Sequence, residues 1–277
     1  MPVLVRYDEI GIKGKNRARF ENALVKNIEA KLRANNVKFS KAKRTFGRIL
    51  IDTDDNCDCL KTVFGISSFS HAFDAGKTIE ETFSAVKQHF KLSEKDSFKI
   101  NCQRLDKDFP MDSRMVCVRL GEMLRTATNA KVKMENPLLE INLEIIRGRI
   151  YILSNRIKGP GGMPVGCQGT AIALIENKAS VVAAVMVMKR GCKIIPVMLN
   201  NVDISLLQKF SFEKLAPLKI NFLSELEDVC KRHNVDAVVI NDTFGKTREI
   251  AGGVIVLRPL SGMDESEIEN ERKKLAG

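Results

Sequence analysis

No stretch of the 277 residues approaches the roughly 18 consecutive apolar residues of a membrane-crossing helix. The N-terminus also lacks the charged-then-apolar pattern of a secretory signal, so a soluble cytoplasmic protein with no membrane partner is expected. Histidine is scarce, with only His71, His89 and His233, and the seven cysteines (Cys57, Cys59, Cys102, Cys117, Cys167, Cys192, Cys230) are scattered and odd in number. That pattern excludes a disulfide framework and reads as reduced thiols, mostly packed as small hydrophobes. Cys57-Asp58-Cys59 has no second Cys/His pair at ligand spacing, so no metal site is expected. Gly245-Lys246-Thr247 imitates the end of a Walker A loop, but Ile240 stands where its leading glycine belongs, which argues against a P-loop.

Positive charge is what the chain has in excess. The formal net charge is +11, and the first fifty residues hold thirteen Lys/Arg against four Asp/Glu, a net of +9 from that segment. Charge so concentrated survives screening over about 8 to 10 Å and attracts a polyanion. A solvated basic face that serves only solubility is the competing reading.

The length suggests two or three domains, and the patterning divides the chain into an α/β assembly of three. Residues 1–55 read as a small α+β unit. A strand over 2–7 leads to the loop Gly11-Ile12-Lys13-Gly14-Lys15. Asn16 then caps a helix whose apolar residues Phe20, Leu24, Ile28 and Leu32 recur every four, and a strand returns over 46–52 behind the basic run Lys41 to Arg44. Residues 56–158 form a second unit. Its signals are a capping box at Thr78 and Glu81, a helix capped near Asp112, and two alternating strands joined by a turn at Arg147-Gly148. A Gly/Pro hinge occupies 159–169. From 170 to 277 strands and helices alternate, which predicts a parallel sheet with helices on both faces and ligands at the carboxyl ends of its strands. Those ends fall at Glu176, Asn200-Asn201, Asn241 to Gly245, and Arg258 to Gly262.

The strand, turn and helix over 170–190 have the layout of a phosphate site. The turn chemistry is wrong for one, because a phosphate cradle wants glycines and hydroxyls. This turn offers Ile175, Glu176, Asn177, Lys178 and Ala179 before its only hydroxyl, Ser180.

The motif Arg6-Tyr7-Asp8-Glu9-Ile10-Gly11-Ile12-Lys13-Gly14-Lys15-Asn16-Arg17 resembles the opening signature of the tRNA 4-thiouridine synthetases, also called tRNA sulfurtransferases. The resemblance continues, in collinear order, through Val63 to Ser70, Asp106 to Pro110, Gly161 to Gly166, Met188 to Cys192 and Leu257 to Asp264. It implies an N-terminal ferredoxin-like domain, a THUMP RNA-binding domain, and a Rossmann-like ATP-pyrophosphatase domain of the adenine nucleotide alpha hydrolase kind. It also implies tRNA as partner, held at its acceptor stem and 3′ end. Lys13, Lys15, Arg17, Arg19, Lys43, Arg44 and Arg48 would neutralise phosphates, and Arg104, Lys107, Phe109 and Arg114 would hold and stack the unpaired end.

The departures bear on chemistry. The family's Ser-Gly-Gly-x-Asp-Ser turn falls on Ile175 to Ser180, where only the last serine survives and Glu176 puts negative charge where pyrophosphate would sit. At an effective dielectric near 20, a charge pair about 4 Å apart interacts by roughly 4 kcal/mol. The family's persulfide-forming cysteine would fall near Leu218, and no cysteine is there. Two readings follow. The preferred one is a tRNA-binding member of the family whose ATP-pyrophosphatase domain has lost its chemistry and needs no cofactor, working with a catalytic or sulfur-donor protein. The other is an active sulfurtransferase that binds ATP and Mg²⁺ through Ser180, Asp242, Thr243 and Arg258 and adenylates a uridine. A role in thiazole synthesis, associated with the family, has no independent sign in the residues, and a homodimer is admitted by them without being specified.

Overall fold

The computed structural model describes every residue of the chain except 13, 106, 107, 251 and 252. The first half runs β1 (Pro2–Arg6), α1 (Arg17–Ala34), β2 (Ala42–Thr45), β3 (Arg48–Asp52), β4 (Ser68–Asp74), α2 (Ile79–His89) and β5 (Ser97–Arg104). It continues with α3 (Ser113–Thr128), β6 (Lys131–Val132), β7 (Leu139–Ile146), β8 (Arg149–Leu153) and β9 (Ile157–Lys158). The second half runs β10 (Thr170–Ile175), α4 (Lys178–Lys189), β11 (Lys193–Met198), α5 (Ser205–Phe210), β12 (Leu218–Lys219), α6 (Leu226–His233), β13 (Ala237–Val239), β14 (Ile255–Leu257) and α7 (Glu265–Ala276). These elements form two units. One contains Met1–Arg6, Lys38–Asn56 and Ser68–Lys158, the other Tyr7–Val37, Cys57–Ser67 and Gly159–Gly277.

The first unit is built on a nine-stranded sheet in the order β2-β3-β1-β4-β8-β7-β5-β6, with β9 paired to β4. The expected hairpin is present between β7 and β8, and its turn places Arg147 at φ 50° and Gly148 at φ 67°, the conformation that matches strand twist in a two-residue loop. Alternation along β5, β7 and β8 sends Ile100, Ile141, Leu143, Ile145, Ile150 and Ile152 into one core with Val86 of α2 and Val116, Leu120 and Leu124 of α3. The Thr78–Glu81 capping box and the Asp112 cap start the two helices as their sequences require. Most of the basic run Lys41 to Arg44 lies in strand β2, turned back by Phe46-Gly47 onto β3.

In the second unit β12-β11-β10-β13-β14 is parallel throughout. Alternation along β10 sends Ala171, Ala173 and Ile175 to a core shared with α4, α5 and α7, and Ile172 and Leu174 to a core shared with α6. Both faces of the sheet are therefore covered, as expected of an α/β layer fold. Helix α4 stops at Gly191, whose φ of 102° disfavours a side chain and where a Cβ would lie 2.6 Å from the Cys167 sulfur. Helix α1 belongs to this unit and buries Phe20, Leu24, Ile28 and Leu32. Its Asn27 donates to the Val165 carbonyl at 3.0 Å, and Lys31 donates to the Lys209 and Ser211 carbonyls at 2.6 and 3.0 Å.

One local expectation is corrected. Asn16 precedes α1 but makes no side-chain cap bond. Helix α5 falls between β11 and β12, and Leu218 lies in strand β12. The Gly/Pro segment after residue 158 is tied by backbone bonds within the second unit: Gly161 N–H donates to the Ile66 carbonyl, Gly65 N–H to the Gly161 carbonyl (both 2.8 Å), and Met163 N–H to the Lys189 carbonyl at 2.9 Å. No helix among the described residues is long and apolar enough to cross a membrane.

Candidate nucleotide pocket and nucleic-acid interface

A phosphate at the β10–α4 turn would use the backbone N–H groups left unpaired at the helix start. Three of the N–H groups at this turn are already taken. Ser180 Oγ accepts from the N–H groups of Glu176 (2.9 Å) and Asn177 (3.0 Å), and donates to the Asn177 carbonyl at 2.6 Å. Asn177 caps α4 in return, its Oδ1 accepting from Ser180 N–H at 3.1 Å. The Ser180 hydroxyl thus takes up two backbone donors of the turn from inside the protein.

Strands β10, β13 and β14 are neighbours, so their carboxyl ends bring together residues far apart in sequence. Glu176 follows β10, Asn241 and Asp242 follow β13, and Arg258 follows β14. Arg248 enters the centre of this group. It donates through Nη1 to Glu176 at 2.8 Å, through Nε to Asp242 at 2.9 Å, through Nη2 to Asn241 at 2.9 Å, and through its backbone N–H to Asp242 at 2.7 Å. Arg258 closes the network, donating to Asp242 at 3.2 Å and to the Arg248 carbonyl at 2.6 Å. Burial pushes the Asp242 carboxyl up, yet the Arg248 backbone N–H and the two guanidinium groups outweigh it and hold the carboxyl below its ordinary range. The hydrogen bond to Glu176 is the main reason the Arg248 guanidinium is held above its usual value.

Of the residues expected around a nucleotide, Ser180, Asp242 and Arg258 are gathered at this end of the sheet. Thr243 is not part of the network, and its carbonyl instead accepts from Lys246 N–H at 3.1 Å in a tight turn. Arg248 was not anticipated. The signal for it was two carboxylates at the ends of strands expected in one sheet, which require a cation from somewhere. Toward an ATP triphosphate the fit is poor: the Glu176 and Asn177 amides are bonded to Ser180, the Asp242 carboxylate is held by two arginines, and Glu176 adds a second carboxylate at the turn. Open space lies beside α4 instead, in a cleft of about 370 Å³ lined in part by Lys178, Val181, Val202 and Leu206.

The residues expected to meet RNA separate into exposed and engaged ones. Lys15, Arg19, Lys43, Arg44 and Arg114 are exposed. Lys43 and Arg44 lie on the edge strand β2, and Arg44 is also within the reach of other groups. Arg17 is half-buried against Glu21 and the Tyr7 hydroxyl. Burial, together with the hydrogen bond to Glu21, pushes the Tyr7 phenol up to about 12. Arg48 is not available as a phosphate ligand in this arrangement, because Nε donates to Glu144 at 2.8 Å and Nη2 to Gln103 at 3.0 Å. Glu144, 2% exposed, also accepts from Arg6, 5% exposed, at 2.8 Å. Arg104 holds the following loop by donating to the Phe109 and Met111 carbonyls at 3.3 and 3.1 Å. Phe109 itself is 2% exposed, packed in the core with α3, and presents no ring for an unpaired base. Lys13 and Lys107 lie outside the described residues. Beside the Arg6–Glu144 pair is a cleft of about 340 Å³ that also exposes Asn101, Asn142, Ser154 and Arg156.

All seven cysteines are free thiols. The hydrogen bond between Cys102 and Cys117 lowers the Cys117 thiol and, with burial, raises Cys102. Among the described residues no group of three or more metal-ligating side chains converges.

Residues 2–70 match the ThiI ferredoxin-like domain family and residues 76–155 the THUMP domain family. A probable tRNA sulfurtransferase of Thermococcus kodakarensis is 27% identical over 99% of this chain and 87% of its own length. That alignment is longer than the chain, so the relative carries inserted residues with no counterpart here. A probable tRNA sulfurtransferase of Caldanaerobacter subterraneus subsp. tengcongensis is 37% identical over 69% of this chain, a match spanning about half (51%) of the relative. Among solved structures, a 4-thiouridine synthetase–RNA complex with bound ATP superposes with a TM-score of 0.75 at 26% identity, covering 99% of this chain and 84% of that one.

Proposed function

The chain belongs to the tRNA 4-thiouridine synthetase family, the tRNA sulfurtransferases, and on that premise we propose that it binds tRNA and takes part in tRNA thiolation with an ATP-pyrophosphatase fold that no longer holds ATP. The observation that carries this reading is the Arg248 network. Its two carboxylates and two guanidinium groups cancel in charge, and Ser180 takes up the Glu176 and Asn177 amides, which supports a turn that leaves little for a nucleotide to bind. The retained half of the function is electrostatic. Exposed Lys15, Arg19, Lys43 and Arg44 suit phosphate contacts on a chain of net charge +11. The activating and sulfur-donating steps then fall to a protein partner, since no cysteine lies near position 218.

A second reading has one observation in its favour: the structurally similar synthetase was solved with bound ATP. Arg248 is about one-third exposed, so its release is a local event that would free Asp242 and Arg258 for a nucleotide. Two titrations separate the readings. Gel shifts should give tRNA affinity of roughly micromolar or tighter at low salt, falling steeply as salt rises. Calorimetry with ATP and Mg²⁺ should give no binding tighter than about 100 μM. Tighter binding that Asp242→Ala abolishes would establish the active enzyme instead, and absence of any tRNA shift at low salt would remove both.

A further inference from the structure

Directly beyond the Arg248 network, Thr243-Phe244-Gly245-Lys246 forms a closed turn: Lys246 N–H donates to the Thr243 carbonyl at 3.1 Å, and Gly245 sits at φ 76° in the third position. That is the type II pattern, in which glycine supplies the positive φ. The turn is anchored at its base, because Asp242 before it and Arg248 after it are joined by two direct bonds and by Arg258, which donates to both Asp242 and the Arg248 carbonyl. At its tip Phe244 is 89% exposed. Leaving a phenylalanine in water forgoes the stabilisation of its burial, and here it is held out on a bonded turn with lysine two residues away.

The same rim repeats the arrangement. After β12, Phe222 is 70% exposed and lies three residues beyond exposed Lys219, and its N–H is fixed by Glu225 at 2.8 Å. Strands β12 and β13 are separated in the sheet by β11 and β10, so the strand ends that lead to the two aromatics lie about 14 Å apart on the same rim. Neither Lys219 nor Lys246 is in an ion pair among the described residues, while Glu176 and Asp242 are neutralised by Arg248 and Arg258. Glu249 is the exposed acid nearest in sequence. Exposed aromatic rings interleaved with lysines are the elements of a single-strand stacking platform.

We infer that the carboxyl rim of the C-terminal sheet binds unpaired nucleotides of RNA, with Phe244 stacking on a base and Lys246 on the adjoining phosphate, and Phe222 with Lys219 as a second foothold. The inference rests on the tRNA-binding reading and deepens it: the internal salt-bridge network that fills the nucleotide position serves as the rigid base of a stacking finger.

The test uses the full chain with unfractionated tRNA and an oligouridylate of about 12 nucleotides. Phe244→Ala should weaken both by roughly 5- to 100-fold at constant salt, with the salt slope unchanged. Lys246→Ala should instead lower the slope by roughly 0.7. Because the chain has no tryptophan, Phe244→Trp supplies a single emitter at the proposed contact; it should keep the affinity, and saturating tRNA should quench its emission. Phe244→Ala binding within twofold of the parent, with Phe244→Trp emission unmoved in a protein that still binds tRNA, would overturn the stacking role and turn the finger over to a protein partner. Failure of the parent itself to bind tRNA would sink the underlying reading as well.

Discussion

Arg248 holds Asp242 twice, by its backbone N–H at 2.7 Å and its Nε at 2.9 Å, and with its remaining nitrogens spans to Glu176 and Asn241. One side chain therefore joins the ends of two neighbouring parallel strands. Replacing it by alanine leaves Glu176 and a buried Asp242 facing each other with only Arg258 to compensate. Arg248→Ala should lower stability by about 2–3 kcal/mol, less than a fully buried pair would cost because Arg248 is partly in water. It should not restore ATP binding, since Ser180 still occupies the turn. Thermal denaturation and nucleotide titration of this one variant check both statements, and gain of ATP affinity would mean the arginine alone blocks the site.

The same network sets a pH dependence. Asp242 is held below the ordinary aspartate range, so its stabilising contribution is complete above about pH 3.9 and is lost as pH falls from there through its lower folded value. Asp242→Asn should be less stable than the parent at pH 7. The gap should narrow as the pH drops below about 4, where the parent's carboxylate takes up a proton. Urea melts at neutral and acid pH measure the gap, and a difference that widens on acidification contradicts the assignment.

In the N-terminal unit the counterpart is Glu144, which accepts from Arg6 through Oε1 and from Arg48 through Oε2, both at 2.8 Å. Glu144→Gln leaves two buried guanidinium groups without a counter-charge and should cost roughly 3–5 kcal/mol. Arg48→Gln leaves the Arg6–Glu144 pair intact and should cost clearly less. It should also leave the salt dependence of tRNA binding unchanged, whereas Lys43→Ala should reduce that slope by roughly 0.7–0.9. A slope lowered by Arg48→Gln would return Arg48 to the phosphate-binding set.

How far the sequence disclosed this depended on the range of the interaction involved. The four-residue recurrence of Phe20, Leu24, Ile28 and Leu32 announces α1, the alternation of Leu139 to Ile145 announces β7, and the Arg147-Gly148 pair announces the turn after it, because each signal lies within its own element. Helix α5 passed unseen because six residues with only Leu207 and Phe210 buried show no period. Strand β2 passed unseen because three of its four residues are charged or polar and only Ala42 points into the protein. The loss of a glycine cradle at Ile175 to Ser180 was legible in the residues, but its replacement by Arg248 was not. That contact spans 72 residues and exists only once parallel pairing sets the ends of β10 and β13 side by side.

Phe109 shows the same limit from the other direction. An aromatic in a charged loop suggested a stacking surface, but Arg104 pins the loop through the Phe109 and Met111 carbonyls, and the ring falls into the core with Val116 and Leu120. Phe109→Ala should therefore act through stability, costing roughly 3–5 kcal/mol, while the fraction that remains folded binds tRNA with the parent's affinity. Arg114→Ala, one exposed cation near the start of α3, should do the reverse, leaving the melt unchanged and weakening binding in a salt-dependent way. Measuring both variants by denaturation and by titration at two salt concentrations separates the roles. An affinity loss in folded Phe109→Ala that does not vary with salt would mean that the ring leaves the core to meet a base.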